Sequence, residues 1–164
     1  MRVARGIILA VLAVLSTAPA IHGQASPAPS DGLDTVRFAP GLGVDLSISQ
    51  RTPSGARWRE VVVGTGNAPG AVYFGTIRLS MFTNEGAVVG RDSVVTFTVK
   101  IGYDILMPGM DEAMVGMRVG ARRQIVLPLS AQGDAGQEGM PGVPRGSPLV
   151  VNVELLRISD HADP

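Results

Sequence analysis

A mostly antiparallel β-sheet carrying one short helix, an α+β domain, is what the sequence predicts, and three observations predict it. Several runs alternate apolar and polar residues with the two-residue period of a half-buried strand. The 21 glycines and 12 prolines suit many short strands joined by tight turns. One stretch alone, residues 106–117, has helical spacing: Met110, Met114 and Met117 fall at i, i+4 and i+7 and so share a face.

The elements follow in chain order. Residues 1–25 read as a secretory signal: Arg2 and Arg5 precede an apolar run over 6–15, and small residues offer cleavage after Ala20 or Ala25. Export to the periplasm or outside the cell is expected, with no membrane span once the signal is removed. Residues 26–51 form a leader rich in Ala, Ser, Pro and Gly, then an extended arm in which 35–38 and 44–48 alternate as short strands would. A turn at 52–55 leads into a strand over 57–63 that ends at Gly64-Thr65-Gly66, and a second turn spans 67–70. Residues 72–83 are a long β-branched and aromatic run closed by Asn84-Glu85-Gly86.

Residues 94–101 put Val95, Phe97, Val99 and Ile101 on one face. Pro108 then suits the first position of a helix, and Asp111 and Glu112 complement its positive end. The methionines of this helix serve as core filler, as an apolar pocket floor at Met107 and Met110, or as both. A strand over 122–127 stops at Pro128. Residues 130–148 form a long loop rich in Gly and Pro, of the length that carries function or lacks order. The last strand spans 149–158, and 159–164 are a polar tail.

Composition removes several classes of function. There is no cysteine, so disulfide and thiolate chemistry are excluded, and His22 and His161 lie near opposite ends, which argues against a histidine metal centre. No cofactor is expected. Formal net charge is zero, and Lys100 is the one lysine beside scattered arginines, so no basic stripe points to nucleic acid.

Particular words stand in these elements. Thr52-Pro53-Ser54-Gly55-Ala56-Arg57-Trp58 precedes Val63-Gly64-Thr65-Gly66, and Asn84-Glu85-Gly86 follows. Ile101-Gly102 leads to Leu106-Met107-Pro108-Gly109-Met110-Asp111-Glu112, then Met117-x-Val119-Gly120. Pro144-x-x-Ser147-x-Leu149 closes on Val153-Glu154-Leu155-Leu156. Each is weak alone. In this order, over 52–158, they resemble the FKBP-type (macrolide-binding) peptidyl-prolyl cis/trans isomerases.

The resemblance implies a curved, half-barrel-like antiparallel sheet wrapped around the helix, with an apolar substrate pocket between them. It carries the floor tryptophan of the family onto Met110 and its preceding valine and isoleucine onto Leu106 and Met107. Met107 would offer a backbone N–H to a ligand carbonyl. Phe97 keeps the family phenylalanine, while Leu79 replaces a tyrosine. Val89 or Val88 replaces another phenylalanine, and the aspartate after it falls on Gly90 or, with two residues inserted, on Asp92. Gln132 takes the place of the loop tyrosine, facing water or donating to a ligand. Val143 and Val151 replace an isoleucine and a phenylalanine. The walls are thus aliphatic where the family's are aromatic.

The implied function is an exported isomerase of reduced activity acting on proline-containing polypeptide segments. The alternative is a non-catalytic module of the same fold that binds unfolded segments or a partner protein. Oligomeric state is left open.

Overall fold

The computed structural model describes residues 31–159 apart from Ala71 and Asp104; the signal-like segment and nearly all of the polar tail lie outside them. Among the described residues no helix is long and apolar enough to cross a membrane. Six strands form one antiparallel sheet: β1 (Gln50–Arg51), β2 (Arg57–Val62), β3 (Tyr73–Thr83), β4 (Val95–Ile101), β5 (Arg122–Leu127) and β6 (Leu149–Ser159). Their spatial order is β1-β2-β5-β6-β3-β4. The sheet curves but stays open, because β1 and β4 at its two edges do not pair.

The helix α1 (Pro108–Met114) lies against the concave face. Register places Trp58, Ile125, Val151 and Met81 in one row across that face, and Arg123, Val153, Leu79 and Val95 in the next. With Ile77, Val99, Ile101 and Leu155 they meet Met110, Ala113, Met114 and Met117, and most of this set is buried. The shared face expected of Met110, Met114 and Met117 is the buried face of the structure. Val95, grouped with the inward set by alternation, is 37% exposed because it starts an edge strand.

Both ends of α1 are held by groups distant in sequence. Asp111 Oδ1 accepts the Gly102 N–H at 2.9 Å and fixes the β4–α1 connection. Glu112 Oε2 accepts from the Ser54 N–H at 3.0 Å and the Ser54 hydroxyl at 2.7 Å, which ties the 52–56 turn to the helix. These carboxylates thus do more than complement a helix dipole. At the other end, the last carbonyls of a helix lack partners within it. Tyr73 donates its hydroxyl to the Met114 carbonyl at 3.1 Å. Arg123 Nη1 donates to the carbonyls of Ala113 and Val115 at 2.7 and 3.1 Å.

The convex face is covered by the N-terminal arm. Val126 and Val150 are buried there against Leu33, with Val36, Phe38, Leu42, Val44 and Leu46 packed around them. The arm holds two short 3-10 turns, Leu33–Thr35 and Pro40–Leu42, and forms no strand over 35–38 or 44–48, where alternation suggested short ones. It is fastened by hydrogen bonds along its length. The Ala39 N–H donates to the Asn84 carbonyl at 2.8 Å and Gln124 Nε2 to the Leu42 carbonyl at 2.7 Å. Arg59 Nη2 reaches the Gly43 carbonyl at 2.6 Å. Asp31 meets Arg57 Nε at 2.6 Å with its side chain fully buried. Burial would raise the Asp31 pKa, but the Arg57 contact and the Leu33 N–H together hold it below the usual value. Residues 31–49 are therefore part of the folded domain, with Leu33 in its core.

The 130–148 loop also differs from the sequence expectation, since it contains a 3-10 turn, Leu129–Ala131, and a five-residue helix, α2 (Asp134–Glu138).

Because Leu33 is 1% exposed, Leu33→Ala should cost about 2–5 kcal/mol in denaturant unfolding. A loss below about 1 kcal/mol would mean that the arm does not hold to the sheet in solution.

Candidate functional site

The concave face and α1 bring most of the candidate residues together. Leu79 and Val151 come from adjacent strands, Met110 from α1, and each is buried, at 8%, 0% and 2% exposure. Val89, Phe97, Leu106, Met107 and Val143 are half-buried and pack against the same apolar cluster. The result is a closed floor with a partly exposed rim. Met140 joins this rim; as a large apolar side chain in a loop of glycines and prolines it carried a hint of that role in the sequence.

The open alternatives separate by placement. Val88 pairs with Phe82 in an isolated bridge and is 46% exposed, whereas Val89 donates its N–H to the Met81 carbonyl at 2.9 Å and turns its side chain into the cluster. Neither position considered for the aspartate puts a carboxylate among these residues. Gly90 has no side chain and a φ of 103° that favours glycine. Asp92 is exposed in the β3–β4 connection and makes no hydrogen bond among the described residues.

Gln132 is neither turned to water nor free to donate to a ligand. It is 2% exposed, and Nε2 donates to the carbonyls of Leu127 and Ser147, both at 3.1 Å. Both amide hydrogens are thus engaged in bracing the 130–148 loop against the end of β5.

The Met107 backbone is placed differently. Its carbonyl accepts from the N–H groups of Met110 and Asp111 at 2.9 and 3.0 Å, and no hydrogen bond among the described residues uses its N–H. Pro108, which follows, has no N–H to compete. A half-buried donor at the edge of an apolar cluster is suited to a carbonyl of a bound chain.

Charge is kept at the margins of this cluster. Arg123, 6% exposed, sits with its guanidinium 4.0 Å from the Trp58 ring and its Nε 3.8 Å from Glu60. Burial lowers its pKa and Glu60 opposes that shift. Trp58 lies on β2 beside the short edge strand β1 and shields this buried cation. For Glu112, burial pushes the pKa up but the Ser54 N–H and the hydroxyls of Ser54 and Thr52 hold it below the usual range. Among the described residues no group of three or more His, Cys, Asp or Glu could hold a metal ion.

Similarity to known proteins follows the same outline. The family model described as FKBP-type peptidyl-prolyl cis-trans isomerase matches residues 74–156. A relative named "FK506-binding protein 4", from Dictyostelium discoideum, is 31% identical over 111 residues, which are 63% of this chain and 28% of that protein. The chain spans under a third of the length of the curated relatives it matches. Among solved structures, a peptidyl-prolyl cis-trans isomerase from Pseudomonas syringae pv. tomato superposes with a TM-score of 0.57 at 23% identity, covering 73% of this chain and 86% of that one. FkpA from Escherichia coli gives 0.55 at 22% identity, with coverage of 68% and 52%. At these identities the structures establish the fold.

The Tyr73 cap has a pH signature. Burial, with a smaller push from Asp111, raises its pKa from 10.0 to about 12, against an opposing pull from Arg123. A raised folded-state pKa means that the contribution of the neutral phenol is complete below pH 10 and is lost as pH rises toward 12. In a Tyr103→Phe background, which leaves one tyrosine, tyrosinate absorbance should rise with a midpoint near pH 12, and a midpoint near 10 would remove Tyr73 from the buried cap.

Proposed function

The chain belongs to the FKBP-type peptidyl-prolyl cis-trans isomerase family, and from that premise we propose that it is an exported isomerase of reduced turnover that assists the folding of secreted or envelope proteins. The observation that supports this most is the gathering of Leu79, Val89, Phe97, Leu106, Met107, Met110, Val143 and Val151 into one apolar cluster beside an unengaged Met107 N–H. Export rests on the signal-like residues 1–25.

The chemistry asks little of side chains. Rotation about an X–Pro bond is slow because amide resonance must be broken, a barrier of ~18–20 kcal/mol. In the twisted state the carbonyl has lost conjugation and is less polar, so an apolar enclosure favours that state over the planar one. Phe97 and Met110 would keep the enclosure dry. The Met107 N–H would fix a neighbouring carbonyl so that the rest of the chain turns about a held point. Neither step requires a nucleophile, a proton donor or a metal.

Reduced turnover follows from the walls. Leu79, Val89 and Val151 offer no aromatic face, and Gln132 has no hydrogen left for a ligand. Each missing contact or hydrogen bond removes ~0.5–1.5 kcal/mol. Two or three such losses slow the reaction by about a hundredfold, since ~1.4 kcal/mol is a factor of ten.

One observation favours the non-catalytic reading. Met110 and Val151 are exposed by only 2% and 0%, so a proline ring reaches the floor only when the side chains packed over it move aside. An isomerisation assay on X–Pro peptides separates the two readings. Activity is expected at about a hundredth of an aromatic-walled relative, with Met110→Leu retaining most of it and Met110→Asp abolishing it. No acceleration in the wild type, in a protein that still binds the peptide, would establish the binding module instead.

A further inference from the structure

Beside the proposed pocket a cleft of about 430 Å³ opens between residues 105–108 and 132–135. Leu106 and Met107 belong to both the cleft and the apolar cluster, so a chain held at the Met107 N–H runs directly into it. Its bottom is closed where Gly133 meets Pro108: a Cβ on Gly133 would lie 3.0 Å from Pro108 Cδ, and its φ of 60° favours glycine. One wall is apolar, and Ile105 on it is 61% exposed, which leaves its side chain open to contact from the cleft. On the other wall Gln132 turns its amide inward to the Leu127 and Ser147 carbonyls. That leaves Asp134, exposed at the start of α2, as the one charged residue among the described residues lining the cleft.

We propose, on the isomerase-pocket reading above, that this cleft seats the residue flanking the proline and selects one with an apolar stem and a positive head, lysine or arginine. The two walls match the two parts of such a side chain. Its methylenes lie along Ile105 and Met107, as long basic side chains commonly lie on apolar surface. Its charge then faces Asp134. A glutamate in the same place would set like charges across the cleft, so the discrimination is electrostatic and depends on salt. Asp134 is a specificity residue here and has no part in the bond rotation.

Blocked peptides Ala-Xaa-Pro-Yaa-Ala, with Xaa or Yaa set in turn to lysine, norleucine or glutamate, test this. Cis/trans exchange is followed by NMR and binding by calorimetry, at ionic strengths of about 20 mM and about 0.5 M. At the lower ionic strength lysine should exceed glutamate roughly three- to fivefold in both kcat/KM and affinity at one of the two positions. The difference should shrink at the higher ionic strength, and Asp134→Lys should reverse the order. Equal handling of lysine and glutamate at both positions, or an order that Asp134→Lys leaves unmoved, overturns the assignment. Charge-ordered binding without turnover would uphold the cleft and overturn the isomerase reading. Failure to bind any of the peptides would overturn both.

Discussion

The seating of α1 on the concave face is the contact that the rest of the structure depends on. A Cβ at Gly109 would lie 2.7 Å from both Ala131 Cβ and Ala56 Cβ and 2.9 Å from Leu127 Cδ2. The helix backbone therefore touches the end of β5, the 3-10 turn after it and the strand lead-in at once. Spacing this close leaves no room for a side chain, and it sets how far Met110, one residue on, reaches toward Leu79 and Val151. The seven-residue helix is too short to be stable alone. Its orientation is supplied from outside by Gly102 and Ser54, which donate to Asp111 and Glu112 near one end, and by Tyr73 and Arg123 at the other. The Met107 N–H and the mouth of the neighbouring cleft inherit their positions from that arrangement.

The sheet is covered on both faces, which explains how a domain poor in aromatics holds its shape. Aromatic residues are 4% of the chain, so the large contact areas that such rings usually supply are scarce. Methionine and branched aliphatic side chains fill the concave face, and the arm over 31–49 adds a second apolar layer on Val126 and Val150. The walls of the proposed pocket share this economy of aromatics. Thioether side chains adapt their shape readily, so in the proposed pocket Met107, Met110 and Met140 would give a floor and rim that conform to a ligand where stiff rings would have defined one outline.

Much of the fold was legible because its signals are local. Alternation placed β4, and β-branched or aliphatic runs placed β3, β5 and β6, each to within a residue or two, and Pro108 with the methionine spacing placed α1. What could not be read locally was missed for physical reasons. The arm's apolar residues follow no single period, because 3-10 turns set their directions, so nothing in the sequence said that they cover the sheet. The short helix α2 sits in a Gly- and Pro-rich run whose composition reads as loop. The helix caps from Tyr73 and Arg123 come from strands 41 and 10 residues away from their acceptors. Gln132, aligned with a ligand-facing tyrosine of the family, instead braces its own loop, and only the positions of the Leu127 and Ser147 carbonyls reveal this.

The central claim is that the apolar cluster under α1 is where a proline-containing chain binds. Amide and methyl NMR spectra of the folded protein titrated with a proline peptide test it most directly. The account predicts the largest shifts at the Met107 amide, at the Leu79 and Val151 methyls and at the Met110 and Met140 thioether methyls, with little change at Leu33 or Val126. Shifts centred on the arm and the convex face, with the Met107 amide unmoved by saturating peptide, would contradict it.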